Sequence, residues 1–376
     1  MEGFDGPSLG RLRVLFDTSV TDFDRGGTTR YVASLLPRLR SATRSGRGGA
    51  AEGGVVVEQV SMQATWRWSA ILPRAARVLL HDLAWVPWGS VRLGRARGAD
   101  LYHGAGFKVP PRAPFSTCVS IMDDTPWDDP PTARPYNRVY MRRLLESAAP
   151  HLAGALTIAH STATAIGGRL PALAGRLHVT PLGVDHQVFR PRPEPEVRAA
   201  EASAGIAAPY ALLVSPYGPR KNLARMLDAL AQARDANPGL RALVVGRHDP
   251  LPDTGGIPVV ACGPVGDNQL AALYSGAEFL LFASLKEGFG LPAVEAMACG
   301  CPVVTSRGTA MEEVGADAVV LADPTSTAAM AAACRGLLSD RSLRDRHVRM
   351  GLARAAEFTW EATARLTLSA WEKMVR

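Results

Sequence analysis

Short apolar runs that are typical of β-strands alternate with helical segments along the chain, and this series occurs twice. The first series extends from "RLRVLFDTSV" (11–20) to "LHVTPLGV" (177–184), and the second from "YALLVSPYG" (210–218) to "AVVLADP" (318–324). Strands that alternate with helices predict parallel sheets covered by helices. Residues 186–205 separate the two series; they contain three prolines and no periodicity, and we therefore expect a linker there.

The chain has 376 residues, which suits two domains better than one hydrophobic core. We expect an α/β protein with one Rossmann-like domain over residues 1–190 and a second over 191–358, followed by a C-terminal segment, 359–376. Ligands of such sheets bind at the carboxyl ends of the strands. A cleft between the two domains is therefore the expected binding region.

Several classes of protein are disfavoured by the composition. No apolar run reaches the roughly 18 residues of a membrane-spanning helix, and "MEGFDGPSLGRLRVLF" lacks the pattern of a signal peptide. The five cysteines show neither CxxC pairing nor zinc-ligand spacing, which indicates buried thiols in a reducing compartment. We expect a cytoplasmic protein without a metal site.

The net charge of +7 lies entirely in the first half of the chain. Residues 1–190 contain 23 Lys and Arg against 15 Asp and Glu, whereas residues 191–376 contain 19 against 20. This excess favours an anionic partner: a diphosphate, an acidic acceptor or an anionic membrane face. The alternative is a solvated, arginine-rich surface. Peripheral membrane contact through the basic half is one expectation, although no distinct amphipathic anchor is visible in the sequence.

The stretch "SLKEGFGLPAVEAMACGCPVVTS" (284–306) carries the clearest chemical pattern. Its glycines allow a tight turn close to a ligand, and Pro292 suits the first turn of a helix. The free N–H groups at that helix start attract anions. Glu287 and Glu295 could both bind sugar hydroxyls of one molecule. The alternative is that Glu295 only complements the helix dipole and that Glu287 is a surface charge.

A second loop, "SPYGPRKNL" (215–223), follows an apolar strand and precedes a helix. It presents Arg220 and Lys221, and Lys221 is one of only four lysines in the chain. A lysine point charge beside a bidentate guanidinium could bind a diphosphate. The alternative is an exposed pair of loop charges. The loop lacks the GxxxxGK[ST] pattern, so it is no P-loop, and "GGTTR" does not match the dinucleotide motif GxGxxG.

Weaker signals occur in the first half of the chain. Gly26 and Gly27 precede a helix and leave room for a phosphate or an acceptor. Asp123 and Asp124 end one predicted strand, and His103 ends another; we expect all three to point towards the cleft.

Taken together, these stretches resemble the retaining GT-B glycosyltransferases of family four, and within them the mannosyl- and rhamnosyltransferase-like branch. The matching pieces are "GGTTRY", "DLYHGAG", "VTPLGVDHQVF", "PRKNL", residues 263–306 and "FTWEATA". Residues 263–306 contain the family's two glutamates, Glu287 and Glu295, which are separated by seven residues.

The resemblance implies two facing Rossmann-like domains, with a nucleoside-diphosphate-sugar on the second and the acceptor on the first. It implies that the final helix crosses back to the N-terminal domain, and that catalysis retains the anomeric configuration without a metal or other cofactor. The residues implied in catalysis are Arg220, Lys221, Glu287 and Asp123. Those implied in donor binding are Glu295, Gly288, Phe289, Gly290, Leu291, Met122 and Gly27. Those implied on the acceptor side are Gly26, Thr28, Thr29, His103 and Asp124.

Two departures from the family pattern bear on the substrates. Met122 stands where a histidine would contact the donor sugar near its 6-position, and a thioether accepts hydrogen bonds poorly. The hypothesis is a donor that lacks a 6-hydroxyl: a 6-deoxysugar or a pentose. Thr29 stands where the family usually has another glycine. The larger side chain narrows the first turn on the acceptor side.

Three other interpretations stay open from the sequence. One is a GT-B-fold nucleotide-sugar epimerase or phosphorylase. The second is a catalytically silent module that binds a sugar or a partner protein. Nucleic-acid binding suits the charge but lacks a recognisable module, and we do not expect it. The acceptor could be a saccharide, a lipid-linked sugar or a small natural product.

Overall fold

The computed structural model of the chain describes residues 11–23, 26–45, 54–128, 135–214, 217–247, 251–253 and 255–376. The chain forms two compact units. Unit 1 comprises the residues up to Pro181 together with Trp360–Arg376, and unit 2 comprises Leu182–Thr359. Residues 360–376 thus belong to unit 1, although they follow unit 2 in the sequence. Residues 46–53 lie outside the described residues, as do Ser215 and Pro216 of the loop "SPYGPRKNL".

Unit 1 is built on a six-stranded parallel sheet with the strand order β2-β1-β3-β4-β5-β6. Its strands are β1 (Leu12–Asp17), β2 (Val55–Val60), β3 (Leu101–Gly104), β4 (Ser116–Ile121), β5 (Gly154–Thr157) and β6 (Leu177–Val179). Its helices are α1 (Gly27–Ser45), α2 (Met62–Thr65), α3 (Arg74–Leu80), a π-helix (His81–Gly89), α4 (Ser90–Arg97), α5 (Pro135–Ala148), α6 (His160–Arg169) and α14 (Trp360–Val375).

Unit 2 is built on a second six-stranded parallel sheet, with the order β12-β11-β10-β7-β8-β9. Its strands are β7 (Tyr210–Val214), β8 (Arg241–Val245), β9 (Val259–Cys262), β10 (Phe279–Phe282), β11 (Val303–Ser306) and β12 (Val320–Ala322). Its helices are α7 (Glu194–Ala204), α8 (Leu223–Ala233), α9 (Asp267–Gly276), α10 (Leu291–Ala298), α11 (Ala310–Gly315), α12 (Thr327–Ser339) and α13 (Arg341–Ala356).

The strand order fixes where each sheet can bind a ligand. In unit 2 the chain goes from β7 outward to β8 and β9, then returns to the other side of β7 as β10. The connections diverge at this point, and a crevice opens at the carboxyl ends of β7 and β10. Unit 1 has the same switch between β1 and β3, where Asp17 is in register with Gly104. We therefore expect ligand-binding residues directly after these four strands.

The central strands are apolar throughout because helices cover both faces of each sheet. All five residues of β7 are buried, and so are all four of β10. In unit 2, α8 packs Met226, Leu227 and Leu230 into the same core. Parallel strands buried on both faces show continuous apolar runs, which is why these strands were predictable from sequence.

One predicted feature of the chain organisation was wrong, and one helical region was not predicted. Residues 194–204 of the predicted linker form α7, since Pro195 lies in the first turn, where its missing N–H is not needed. Gly205 ends this helix in the left-handed conformation. Residues 62–97, to which no element was assigned, are almost entirely helical.

The last helix, α14, packs into the core of unit 1. Trp371 is fully buried; its ring contacts Phe16, and its indole N–H donates to Nδ1 of His103 at 3.2 Å. At the start of the helix, Trp360 is buried and lies against the ring of Tyr31. No described helix is both long and apolar enough to cross a bilayer.

Candidate functional site

Two loops of unit 2 meet at the carboxyl ends of β7 and β10. The loop after β7 includes Arg220, and the loop after β10 includes Leu285 and Lys286. The N–H of Leu285 donates to the carbonyl of Arg220 at 2.9 Å, and Nη1 of Arg220 donates to the carbonyl of Lys286 at 2.5 Å. These bonds join the two loops at the switch point of the sheet.

A cluster of three charges occupies this junction. Nζ of Lys221 lies 2.6 Å from Oε1 of Glu287, and Nη1 of Arg220 lies 3.6 Å from Oε2 of the same carboxylate. The side chain of Glu287 is only 10% exposed. Two cations against one carboxylate leave a positive charge in a partly desolvated place, where electrostatic interactions are stronger than in water. The sequence predicted all three residues, and the structure brings them into direct contact.

Lys221 is held from a second side by an aromatic ring. Its Nζ lies 4.9 Å from the centre of the Phe282 ring, the last residue of β10. A cation over an aromatic face is attracted by the ring quadrupole. The ammonium group therefore has a fixed position even before any ligand binds.

Asn222 supports the cation loop, and sequence reasoning missed it. Its backbone is left-handed, with φ at +61°, and its buried amide donates to the carbonyls of Ala283 and Pro324 at 3.0 and 2.8 Å. Asparagine is among the few residues other than glycine that adopt this conformation readily. An asparagine directly before a helix and after two cations was the signal available in the sequence.

The glycine-rich turn after β10 is tightly packed. Gly288 and Phe289 are buried, and the Phe289 ring meets the Phe358 ring edge-to-face at 5.5 Å. Gly290 has φ at +88°, and a Cβ there would lie 1.6 Å from Sδ of Met311. Leu291 is the first residue of α10. Glycine at position 290 is thus required by both conformation and space.

We expect Gly290→Ala to destabilise unit 2 by about 2 to 5 kcal/mol. The left-handed conformation costs about 1 to 2 kcal/mol for a residue with a Cβ, and overpacking against Met311 adds about 1 to 3 kcal/mol. Denaturant unfolding measures the change. Gly205→Ala is the matched control, since φ there is +72° and a Cβ would meet open space, so it should show the conformational part alone.

Because Met311 is fully buried, Met311→Ala is itself destabilising, but the double variant Gly290→Ala with Met311→Ala should lose less stability than the sum of the two single losses. If Gly290→Ala and Gly205→Ala lower the stability equally and no coupling to Met311 appears, the close contact is not what requires glycine.

Glu295 is held differently from Glu287. It is 2% exposed on α10, and the hydroxyl of Tyr274 donates to its Oε2 at the long distance of 3.5 Å. Burial, and then the charge of Glu295, raise the pKa of the Cys299 thiol to about 12. Cys299 is therefore a protonated, buried thiol. The predicted contact of Glu295 with a ligand stays a prediction.

In unit 1 the predicted residues follow the ends of β1 and β4. Gly26 precedes α1, whereas Gly27, Thr28 and Thr29 form its first turn; Gly27 is thus part of the helix that it was expected to precede. Among the described residues, no atom lies within 4 Å of where a Cβ on Gly27 would be.

Met122, Asp123 and Asp124 come just after β4 rather than within it. Oδ1 of Asp123 accepts the N–H of Thr125 at 3.0 Å, a local turn that fixes this carboxylate. The other oxygen of Asp123 is not engaged by that bond.

His103 departs from its predicted place beside an acceptor. Its side chain is fully buried; Nδ1 accepts from Trp371, and Nε2 lies 2.7 Å from Oγ of Ser120. Burial lowers the pKa of His103 to about 3, so the ring is neutral near pH 7. Every residue of β3 is buried, so a histidine on this strand lies in the core whichever face of the sheet it is on. The structure gives His103 a packing role.

Asp17, at the carboxyl end of β1, is a buried hub that sequence reasoning missed. Its carboxylate accepts from the indole N–H of Trp85 at 2.8 Å, from Ser19, and from the hydroxyl of Tyr102. Burial, and then the charge of Asp17, raise the pKa of Tyr102 well above its usual range. The hub fixes the π-helix against the switch point of unit 1.

A second buried carboxylate, Asp82, lies on the π-helix. It pairs with Lys108 and with Nδ1 of His81, the latter at 2.9 Å. Burial alone would raise the pKa of Asp82, but the His81 hydrogen bond and the Lys108 charge outweigh burial and lower it. Among the residues that the structure describes, no group of three or more His, Cys, Asp or Glu side chains could hold a metal ion.

The chain is similar in sequence to known glycosyltransferases. Residues 208–340 match the family described as "Glycosyl transferases group 1". O-antigen chain mannosyltransferase B of Escherichia coli is 31% identical over 284 residues, covering 72% of this chain and 74% of that protein. The MMP alpha-(1->4)-mannosyltransferase of Mycolicibacterium hassiacum is 33% identical over 265 residues, covering 66% of this chain and 60% of that protein.

Among solved structures, sucrose-phosphate synthase from Thermosynechococcus elongatus superposes with a TM-score of 0.68 at 18% identity, covering 96% of this chain and 98% of that one. A likeness at this level of identity concerns the fold, and it confirms the α/β GT-B class predicted from the sequence. The fold, the matched family and the first relative together lead to one conclusion: the chain belongs to the group 1 glycosyltransferases.

Proposed function

We propose that the chain transfers a sugar from a nucleoside-diphosphate-sugar to a hydroxyl acceptor with retention of the anomeric configuration. The single observation that carries this proposal is the charge cluster of unit 2. Arg220 and Lys221 share one carboxylate, Glu287, at the carboxyl ends of β7 and β10, where a doubly wound sheet binds its ligand. A diphosphate is the anion that two adjacent cations of this kind fit.

In this proposal the donor diphosphate takes over part of the ion pairing now made by Glu287. Arg220 and Lys221 then face the phosphates, and Glu287 is released towards hydroxyls of the sugar. Glu295 binds the ribose, and the backbone of Gly288, Phe289 and Gly290 lies along the phosphates and the sugar. Leu291 begins α10, whose first N–H groups favour negative charge.

The proposed reaction breaks the bond between the anomeric carbon and the diphosphate oxygen. The acceptor oxygen attacks that carbon on the face from which the diphosphate departs, and a diphosphate oxygen takes the hydroxyl proton. Charge grows on the leaving group, where the two cations stabilise it without rearrangement. The residues proposed for unit 1 are Gly27, Met122 and Asp123 near the donor sugar, and Gly26, Thr28, Thr29 and Asp124 towards the acceptor.

The donor sugar is proposed from two observations that point in partly different directions. The two relatives are named as mannosyltransferases, whereas Met122 offers no good partner for a 6-hydroxyl. A 6-deoxysugar of manno configuration satisfies both. The acceptor is proposed to be a saccharide, a lipid-linked sugar or a small natural product.

A thermal-shift screen of nucleoside diphosphates and their sugars tests the donor. We expect one nucleotide, and most strongly one of its 6-deoxysugar forms, to raise the melting temperature of the intact chain. Ligand at about 100 times its Kd stabilises by about 2.7 kcal/mol, which is a shift of several degrees. Glu295→Ala should lose most of the shift given by the free nucleotide.

Turnover is then followed as release of free nucleoside diphosphate with a panel of hydroxyl acceptors. Release that depends on an acceptor supports transfer. Donor binding without turnover on any acceptor would identify a silent module, and no shift with any nucleotide would contradict the proposed site. Faster turnover of an ordinary hexose than of its 6-deoxy form would contradict the argument from Met122.

A further inference from the structure

Large apolar side chains are exposed in one segment of unit 1. Thirteen large hydrophobic residues are exposed among those described, and five of them fall between residues 68 and 88. These five are Trp68, Ile71, Leu79, Leu83 and Trp88, with exposed fractions of 56, 86, 47, 59 and 70%. A concentration of exposed tryptophan and aliphatic side chains marks an interaction surface rather than ordinary surface variation.

The π-helix aligns three of these side chains on one helix face. Helix α3, the π-helix and α4 form a continuous helical run over residues 74–97. Leu79 and Leu83 are four residues apart, one helical turn. Trp88 follows Leu83 by five residues, which is one turn where the chain has π-helical spacing. The opposite face, including Trp85 and Val86, is buried in unit 1.

Trp68 lies on a neighbouring segment, beside the buried side of this helical run. It stacks on Trp66 at 6.3 Å, and Trp66 in turn meets the buried Trp85 ring edge-to-face at 5.4 Å. The Trp66 ring also lies 2.9 Å from where a Cβ on Gly89 would be, a buried position four residues after Trp85. Trp68 and Ile71 are therefore not counted with the face that carries Leu79, Leu83 and Trp88.

Arginine side chains border the apolar residues. Arg92 and Arg95 follow Trp88 on the same helix and line a cavity of about 560 Å³ with it. Residues 62–97 contain six arginines and a single carboxylate, Asp82, which is buried and paired with Lys108. Within the described part of the chain, no carboxylate forms an ion pair with Arg92 or Arg95. We define the apolar-basic patch as Leu79, Leu83 and Trp88 with these two arginines.

We propose that the apolar-basic patch binds the surface of an anionic lipid bilayer. Tryptophan prefers the bilayer interface, aliphatic side chains enter the acyl boundary, and arginine pairs with anionic headgroups. A nucleic acid would match the arginines but offers no apolar partner for Leu79 and Leu83. The patch is remote from the charge cluster in sequence, and this inference does not depend on the proposed function.

The sequence showed no distinct amphipathic anchor, and the helix geometry explains why. Read at 3.6 residues per turn, a five-residue step from Leu83 to Trp88 places the two side chains on different faces. Only the π-helical spacing, visible in the structure, brings them together.

Vesicle sedimentation with the full chain tests the proposal. We expect the chain to pellet with vesicles of phosphatidylglycerol and phosphatidylcholine, far less with phosphatidylcholine alone, and less as salt is raised. Replacing Arg92 and Arg95 by serine should weaken binding about fivefold for each arginine, or about 25-fold together. The matched control is Arg346→Ser with Arg349→Ser, two exposed arginines with the same spacing on α13, which should bind like the wild type.

A second variant, Leu83→Ser with Trp88→Ser, tests the apolar part and should also release the chain from anionic vesicles. Circular dichroism and the melting temperature verify that each variant folds. Equal binding by the patch and control variants would overturn the proposal, and so would a wild-type chain that ignores anionic vesicles. A wild-type dimer that the Leu83 and Trp88 changes dissociate, without vesicle binding, would assign the patch to a second copy instead.

Discussion

Replacing Lys221 by alanine should lower the rate of sugar transfer by about two to three orders of magnitude, the usual effect of losing one preorganised charge-stabilising group. The ammonium group is fixed between Glu287 and the Phe282 ring, so little reorganisation is needed when negative charge develops on the diphosphate. Initial rates with the donor found by the thermal-shift screen measure the effect. The loss should appear mainly in kcat if Lys221 acts on the departing group.

Lys373→Ala is the matched control, because Lys373 is exposed near the end of α14 in unit 1. It should leave the transfer rate unchanged. Lys221→Arg keeps the charge but replaces a compact ammonium by a planar fork, and we expect only partial recovery. A folded Lys221→Ala protein with wild-type turnover would remove this residue from the proposed mechanism.

Replacing Trp371 by alanine should destabilise unit 1 by about 3 to 5 kcal/mol, as for other buried tryptophans. The indole is fully buried against Phe16 and His103, and its loss also leaves Nδ1 of His103 without its donor. Denaturant unfolding measures the change. Trp371→Phe preserves most of the ring packing and should isolate the hydrogen-bond contribution, about 1 kcal/mol.

Trp88→Ala provides the comparison for this substitution at an exposed position, where we expect a change within about 0.5 kcal/mol. Similar losses from Trp371→Ala and Trp88→Ala would contradict the packing of α14 into unit 1. Because the chain has two units, the transition should be followed by a signal from each.

Much of the fold was predictable because parallel strands covered on both faces are apolar at every position. Strands β7 and β10 could be recognised as continuous apolar runs, without any alternation of apolar and polar residues, because all their residues are buried. Helix α7 was missed because three prolines resemble a linker, although one of them suits a helix start. Residues 62–97 were missed because the π-helix breaks the regular helical period.

The charge cluster was predictable for a different reason: glycine and proline mark the two loops, and strand order brings the loops together. Which carboxylate pairs with Lys221 depends on a contact across 66 residues, and the sequence pattern did not indicate this pair. The place of His103 was beyond prediction. A strand with two buried faces does not show which face a side chain takes, and its partner Trp371 is 268 residues away.

The division of the chain has a consequence for synthesis. Unit 2 is one uninterrupted stretch, whereas unit 1 is finished only by Trp360–Arg376. On the ribosome, the half that emerges first therefore stays incomplete, with the Phe16 and His103 side of its core uncovered, until Trp360–Arg376 have been synthesised. The domain that folds as a continuous segment can form earlier, and the order of folding is then the reverse of the order of translation.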